Sequence, residues 1–380
     1  MITVKQITSK RDKKKFFKFL IDLYKGSPYA CPNLYADEFA EFDPKTNDAF
    51  RFADCKMFLA YKDGKIAGRI AGIWHRGVNE KFGYKQLRFT RFDVIDDFEV
   101  TKALFAELYK WAEELGMEEI IGPMSFSDIN EEGMLIDGFD KDSMYFEIYN
   151  YPYYVEHMEK LGAYKVVDWN GYRIAVPEKD ERLERVSNVV AERNGFTVLD
   201  VNYLLKHDKK KLDSYILRCF DVLNEAYEPL YGVSPLNDKQ KKREMDTIYQ
   251  VLIPEFASVI LKDDEVIAYG LLMPSINEAM RKGRGRIIPF GLPAFIKAMK
   301  HIEVAHMMSI GITKAESNKG AVAMILHHSL IGLNKHGVKF VETGPMLEDN
   351  APIHNLWKEF NPEIIKRRRC WGLKVGGTKK

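Results

Sequence analysis

Two rhythms of hydrophobic residues alternate along the chain, one with the period of a strand and one with that of a helix. The clearest alternation runs from His306 to Trp357. HMMSIGIT predicts a strand from Met307 to Thr313, and a polar turn follows from Lys314 to Gly320. AVAMILHHSLIGLNKHG then spaces Val322, Ile325, Leu326, Leu330 and Leu333 three and four apart, which predicts a helix. VKFVETGPM predicts a second strand. Asn350-Ala-Pro352 opens a last helix, with Asn350 as its cap and Pro352 in the first turn, where a missing N–H costs nothing.

The rest of the chain reads in the same way. MITVKQI is an alternating strand, and Ser9 with Asp12 three residues on signals the start of a helix whose Phe16, Phe19, Leu20 and Leu23 share a face. MFLAYKDGKIAGRIAGIW predicts a hairpin turning at Lys62-Asp-Gly64, and QLRFTRFDVI another strand. An amphipathic helix from Glu99 to Leu115, a strand MEEIIGPM, the loop SFSDINEEGMLIDGFD, a helix from Asn150-Tyr-Pro152 to Leu161 and strands in AYKVVDWNGYRIAV follow. After a charged helical stretch come a strand in FTVLDVNYL, helices from Lys209 to Leu223 and Asp238 to Leu252, and a hairpin turning at Lys262-Asp-Asp264. The insertion SINEAMRKGRGRIIPFGLPAFIKAMK separates that hairpin from His306.

The halves repeat one another. MFLAYKDGKIAGRIAGIW matches SVILKDDEVIAYGLLMP, LGMEEIIGPM matches HGVKFVETGPM, and Asn150-Tyr-Pro152 matches Asn350-Ala-Pro352. The expected division is therefore 1–178, a helical connector at 179–194, and 195–380, and 380 residues suit two domains. With 46% hydrophobic and 29% charged residues, each half can fill a core. A net charge of +2, from 57 basic and 55 acidic residues, is too balanced for a dedicated nucleic-acid binder. Lys209-Lys210-Lys211, the run from Arg281 to Arg286 and the run from Lys366 to Arg369 read as solvated charge. Cys31, Cys55, Cys219 and Cys370 have neither disulfide-scaffold nor metal-motif spacing, which suits a reducing compartment and no metal. Without a signal peptide or an apolar run of about 18 residues, the expectation is a cytoplasmic protein with no membrane partner.

The turn before Ala321 has a specific chemistry. Backbone N–H groups at a helix start, after small residues, suit a pyrophosphate. Gly320 and Ala321 permit close approach, and Lys314 or Lys319 adds charge. Two parallel strands ending beside such a turn leave a crevice at their carboxyl ends. This order, with Ser317, Asn318, Lys319, Gly320 and Ala321 in the turn and Asn350 on the last helix, resembles the acyl-CoA-binding half of a GNAT-superfamily N-acyltransferase. The family's turn is Gln/Arg-x-x-Gly-x-Gly/Ala; here Ser317 replaces the first residue, Gly320 matches, and Val322 replaces the last small one. With Gly122-Pro-Met124, Asn277-Glu-Ala and Leu347-Glu-Asp-Asn350, nearly the whole chain is similar to tandem-GNAT bacterial proteins of mostly undefined substrate. The implied fold class is α/β, with two tandem GNAT-like (acyl-CoA N-acyltransferase) domains, each a mixed central sheet flanked by helices. The first half carries Asp96-Asp97-Phe98-Glu99 at its matching helix start, which suits the helix dipole but repels a pyrophosphate. The second half is the expected donor-binding unit.

The resemblance implies direct attack of a small amine or amino-acid acceptor on the thioester of acetyl-CoA or another acyl-CoA, with no metal. It implies that a backbone N–H near Ile310, Gly311 or Ile312 polarises the carbonyl, that pantetheine runs along this strand edge, and that Asn350 lies near the donor. Candidates for the general base are Glu342, Glu348, Asp349, Glu278 and His306, with Glu348 and Asp349 foremost because they lie where the second strand ends. The family's helix tyrosine, the acid to the leaving thiolate, is replaced by Trp357 and Met158. That leaves Tyr231 or Tyr227 for the step, or unassisted departure. Trp357, Tyr227, Tyr231 and Phe290 are candidates to wall an acceptor or fatty-acyl pocket.

Three readings compete. The first is an acyl-CoA-dependent N-acyltransferase, in its simplest form an N-acetyltransferase. The second changes the donor: tandem GNAT folds also occur in peptidoglycan-bridge peptidyltransferases, which use aminoacyl-tRNA, and in N-acyl amino acid synthases, which use long acyl chains on a carrier protein. Near-neutral charge argues against tRNA, and a deep apolar tunnel would favour the long chain. The third is a catalytically degenerate module that binds a ligand or partner.

Overall fold

The computed structural model describes residues 1–127 and 131–376, with only the backbone at 352 and 353. Residues 128–130, part of the loop expected after the fifth strand, lie outside the described residues. The first half supplies β1 (Ile2–Ile7), β2 (Ala53–Lys62), β3 (Lys65–His75), β4 (Gln86–Val94), β5 (Glu119–Gly122), β6 (Met134–Asp137) and β7 (Tyr164–Ala175). The second supplies β8 (Phe196–Val198), β9 (Ala257–Lys262), β10 (Glu265–Pro274), β11 (Val304–Ile312), β12 (Phe340–Thr343), β13 (Met346–Leu347) and β14 (Glu363–Lys374).

Local signals in the chain act where the residues place them. Ser9 accepts a hydrogen bond from the Asp12 amide at 3.1 Å and caps Lys10–Leu23. The β2–β3 turn has positive φ at Asp63 and Gly64, and the β9–β10 turn at Asp263 and Asp264, the geometry that matches the twist of a hairpin. The expected strand at FTVLDVNYL ends at Val198, because Asp200 caps a helix Val201–His207 by accepting from the Tyr203 amide. The expected cap at Asn350 is not made by its side chain.

Among the described residues the strands form one sheet, ordered β1-β2-β3-β4-β5-β14-β7-β12-β11-β10-β9-β8. The strand that closes the first half, β7, lies between β12 and β14 of the second. The strand that closes the second half, β14, lies between β5 and β7 of the first. Each half thus completes the other's sheet. Helices cover both faces: Phe98–Glu114 packs over a core of Phe89, Phe92, Leu104 and Phe105, and Lys209–Tyr227 over one of Leu212, Tyr215, Phe220 and Tyr269. The helix Glu181–Asn194 falls at the expected connector. We propose it as the boundary in sequence, since the strand order begins anew after it.

The basic run from Lys366 to Arg369 is not the solvated charge expected of it. It sits inside β14, where successive side chains alternate in direction. Lys366 and Arg368 are 1% and 2% exposed and face Glu147 at 2.6 and 3.1 Å, while Arg369 makes a two-pronged pair with Asp168. Burial would raise the Glu147 carboxyl, but the two cations override it and hold it at about 2.

Candidate active site at the meeting of the two halves

The second-half crevice comes from two strands that part. β11 and β12 pair in parallel only from Val304 to Met307 and from Phe340 to Thr343. Beyond that, β11 carries a bulge at Met308, opposite Leu271 and Leu272 of β10. From there to Ile312 it keeps β10 on one edge and turns the other toward the gap. The first half repeats the device: Arg91, at φ 50°, is the extra residue in β4 opposite Arg69 and Ala71 of β3.

The turn expected to hold the donor follows β11. Gly320, at φ 82°, precedes the helix Ala321–Lys335. A Cβ at Gly320 would lie 2.9 Å from Val190 of the connector helix, so that side of the turn is covered and accepts no side chain. Ser317, Asn318 and Lys319 are exposed, while Ala321 is buried with Val190. Carboxylates crowd the turn. Glu225 accepts from the Lys314 amide at 2.6 Å, Glu228 pairs with the Lys314 ammonium at 2.6 Å, and Glu316 with that of Lys319 at 2.9 Å. The two lysines expected to meet a pyrophosphate are therefore already neutralised. In the first half, Asp97 caps its own helix and accepts from Lys62 at 2.5 Å.

A cavity of about 360 Å³ opens from the gap and is walled by both halves. Met308, Ser309, Ile310, Gly344, Pro345 and Asn350 bound it at the gap. Its apolar side shares a wall with a separate, smaller cavity of about 60 Å³ beneath the helices Lys209–Tyr227 and Asp238–Tyr249. Phe220, Leu223, Ile248, Leu252 and Leu271 line both. The opposite side is acidic, with Asp37, Glu38, Glu41, Glu131 and Glu147 from the first half and Glu244 from the second.

One guanidinium organises three of those carboxylates. Arg91 is buried and lies 2.8 Å from Glu38, 2.6 Å from Glu41 and 2.8 Å from Glu131. The three acids come within 4.8 Å of one another, close enough to hold a cation, and Arg91 supplies it. Three acids against one cation do not all stay ionised. Burial raises the Glu131 carboxyl to about 8, aided by Glu38 and Glu41 against the pull of Arg91. Glu244 makes no ion pair among the described residues, and burial raises it to about 7. A counterpart cavity of about 380 Å³ fills the first half's own gap, where Arg69, Arg91, Asp93 and Pro123 line it.

The structure sorts the expected residues. Ile310, Asn350, Tyr227 and Tyr231 line the main cavity, and burial raises the Tyr231 phenol. Gly311 packs against Tyr269 instead, where a Cβ would lie 2.8 Å from its ring, and Ile312 joins the core beside Val190. Glu348 and Asp349 miss the cavity: β13 pairs with β7, which carries both to the surface, where Glu348 meets Lys165 at 2.5 Å. Glu278 is paired with Lys282 at the surface. Glu342 and His306 are buried opposite one another behind the gap, and burial lowers His306 to about 3. Trp357 is buried on Met346, Met158 lies in the first-half core, and Phe290 is 78% exposed, so none of these walls the pocket. The residues missed include Arg91, Glu131 and Glu244, which no local pattern marks, and Asp37, Glu38 and Glu41, on a helix Tyr35–Glu41 that reads as a merely polar stretch, although their spacing puts them on one face.

No family model matches the chain. It is 25% identical over 384 aligned positions to Protein YghO of Escherichia coli, covering 98% of this chain and 95% of that one. It is 23% identical over 321 positions to a bacterial ceramide synthase of Caulobacter vibrioides, covering 82% and 81%. Among solved structures it superposes on a tandem GNAT protein from the clavulanic acid biosynthesis pathway with a TM-score of 0.57, at 11% identity, over 100% of both chains. It also matches a glucosamine N-acetyltransferase region of a fungal multi-domain beta-N-acetylglucosaminidase, with a TM-score of 0.53 and 10% identity, over 98% of this chain and 38% of that one. The fold is that of the tandem GNAT proteins.

Proposed function

We propose that the protein is an N-acyltransferase that moves a long acyl chain from a thioester, acyl-CoA as donor, to the nitrogen of an amine. The observation that carries this is a cavity at the β11–β12 gap with a carboxylate lining, whose wall of Phe220, Leu223 and Leu252 also bounds a second, apolar cavity. The donor lies along the open edge of β11, with its phosphates at Ser317 to Ala321 and Asn350 nearby. The chain runs past Ser309 into the space between Phe220, Leu223 and Leu252. The acceptor ammonium is held by the carboxylates around Arg91, because a cation is drawn to surplus buried negative charge.

Glu244 takes the proton that the ammonium must lose, its raised carboxyl being poised near neutrality for that transfer. The nitrogen then bonds to the carbonyl carbon, the C–S bond breaks, the thiolate leaves with its electron pair, and the second proton shed by the nitrogen reaches it through Tyr231 or water. The relative named as a bacterial ceramide synthase supports the same reading, since a ceramide is a long-chain amide. Mass spectrometry after incubation with palmitoyl-CoA and a panel of amines tests it: an N-acyl product supports the reading, and free acid alone defeats it.

A second donor is favoured by the acids around the turn. Glu225, Glu228 and Glu316 oppose a diphosphate more than the single phosphate of a carrier-protein arm. Acylated carrier protein, offered in place of acyl-CoA, separates the two.

A further inference from the structure

The insertion between β10 and β11 adds no strand to the sheet. From Asn277 to Ile302 it contains no acidic residue except Glu278, and it holds six cations, Arg281, Lys282, Arg284, Arg286, Lys297 and Lys300. Its inner face is anchored. Phe295 and Ala298 of the helix Leu292–Lys300, with Ile287, pack onto Ile276 and Met280. Its outer face is apolar and bare: Ile288 is 69% exposed, Phe290 78%, Leu292 38% and Ile296 46%. Four such residues within nine positions are not scattered surface hydrophobes; a contiguous patch of this kind marks a binding face.

The charge around the patch says what binds. Arg281 is taken by Asp142 and Lys282 by Glu278. Arg284, Arg286, Lys297 and Lys300 are exposed and make no ion pair among the described residues, although the Arg286 guanidinium lies over the Tyr35 ring at 4.7 Å and Arg284 also lines the first half's cavity. An apolar centre rimmed by unpaired cations matches the interface of an anionic bilayer, where the side chains enter the acyl boundary and the cations meet lipid phosphates. A second copy of the chain fits badly. An isologous contact would set four cations against four, with no acid on either patch.

We propose that this insertion docks the protein on an anionic membrane surface, in place of the expected absence of a membrane partner. No described helix is long and apolar enough to cross a bilayer, so the contact is peripheral. The anchor shares a core with the wall of the site: Ile287 and Phe295 pack onto Cys31, Ile276 and Met280, as do Leu34, Tyr145 and Val251, which line the main cavity. A lipid-borne chain would enter and leave beside the patch. Docking itself does not depend on the acyl-transfer reading.

Co-sedimentation with vesicles of phosphatidylcholine, with and without phosphatidylglycerol, tests the proposal on the full chain. The expected result is partition onto the phosphatidylglycerol vesicles, weakened by salt and tenfold or more by Ile288→Ser with Phe290→Ser. Arg286→Ser alone should weaken it about fivefold, as loss of one juxtamembrane cation does. The thermal midpoints of these surface variants should match the wild type, which separates lost docking from lost folding. No partition at low salt, or equal partition by the variants, overturns the proposal. So does light scattering that finds a dimer which Phe290→Ser converts to a monomer.

Discussion

Arg368 of β14 and Trp169 of β7 stand opposite one another, at the point where the closing strand of each half lies in the other's sheet. Neither half has a complete sheet without that exchange. The two halves should therefore unfold together. A single calorimetric transition, with calorimetric and van't Hoff enthalpies in agreement, is expected; two resolved transitions would contradict the exchange.

Arg91 is the only guanidinium described in contact with Glu38, Glu41 and Glu131 together. Removing it leaves buried carboxylates without a paired cation, although Asn33 still donates to Glu38 and Ser125 to Glu41. Arg91→Met should cost about 3–5 kcal/mol, the range for breaking a buried pair from one side. The loss should shrink as pH falls and the acids protonate. Urea unfolding at two pH values reads both effects, and equal loss at both would argue against an electrostatic origin.

His306 is fully buried, with its folded-state pKa lowered by burial to about 3, below the roughly 6.5 of an exposed imidazole. The sign follows. Protonation favours the unfolded chain, so this contribution to stability is complete above about 6.5 and is lost as pH falls toward 3. His75, also lowered to about 3, acts in the same direction. His306→Asn should flatten the acid limb of a stability–pH curve by as much as one proton. An unchanged limb would place the titration elsewhere.

Much of the fold was legible because it rests on local rules. Ser9, the two hairpin turns and the apolar spacing from Val322 to Leu333 each act within a few residues, and the structure obeys them. The exchange was not legible. Nothing in IIKRRRCWGL states that Glu147, more than 200 positions away, neutralises Lys366 and Arg368, so part of a central strand read as solvated charge. The gap in the second half was legible from strand order, while its acid wall was not. Glu38 and Glu131 reach the cavity only because the first half folds against the second. Glu348 and Asp349 failed for a related reason: β13 pairs with the first half's β7 and draws them away.

If Glu244 takes the proton, the rate should rise as pH climbs through about 7, where its carboxyl ionises. Glu244→Gln should lower kcat by about 10²–10⁴ and remove that limb. Loss of rate with the limb intact would assign the proton to another group, with Glu131 and its limb near 8 the next to test.

The most direct measurement is free-thiol release from acyl-CoA donors of increasing chain length, with an amine acceptor, by the wild type and by Leu252→Trp. Leu252 lies in the wall shared by the main cavity and the smaller apolar one, so a larger side chain there reduces the space beyond Ser309. The expected result is a preference for long donors that shifts to short ones in the variant, with turnover of the short donor kept. No amine-dependent thiol release from any donor, or a chain-length profile unmoved by the substitution, would contradict acyl transfer in this cavity.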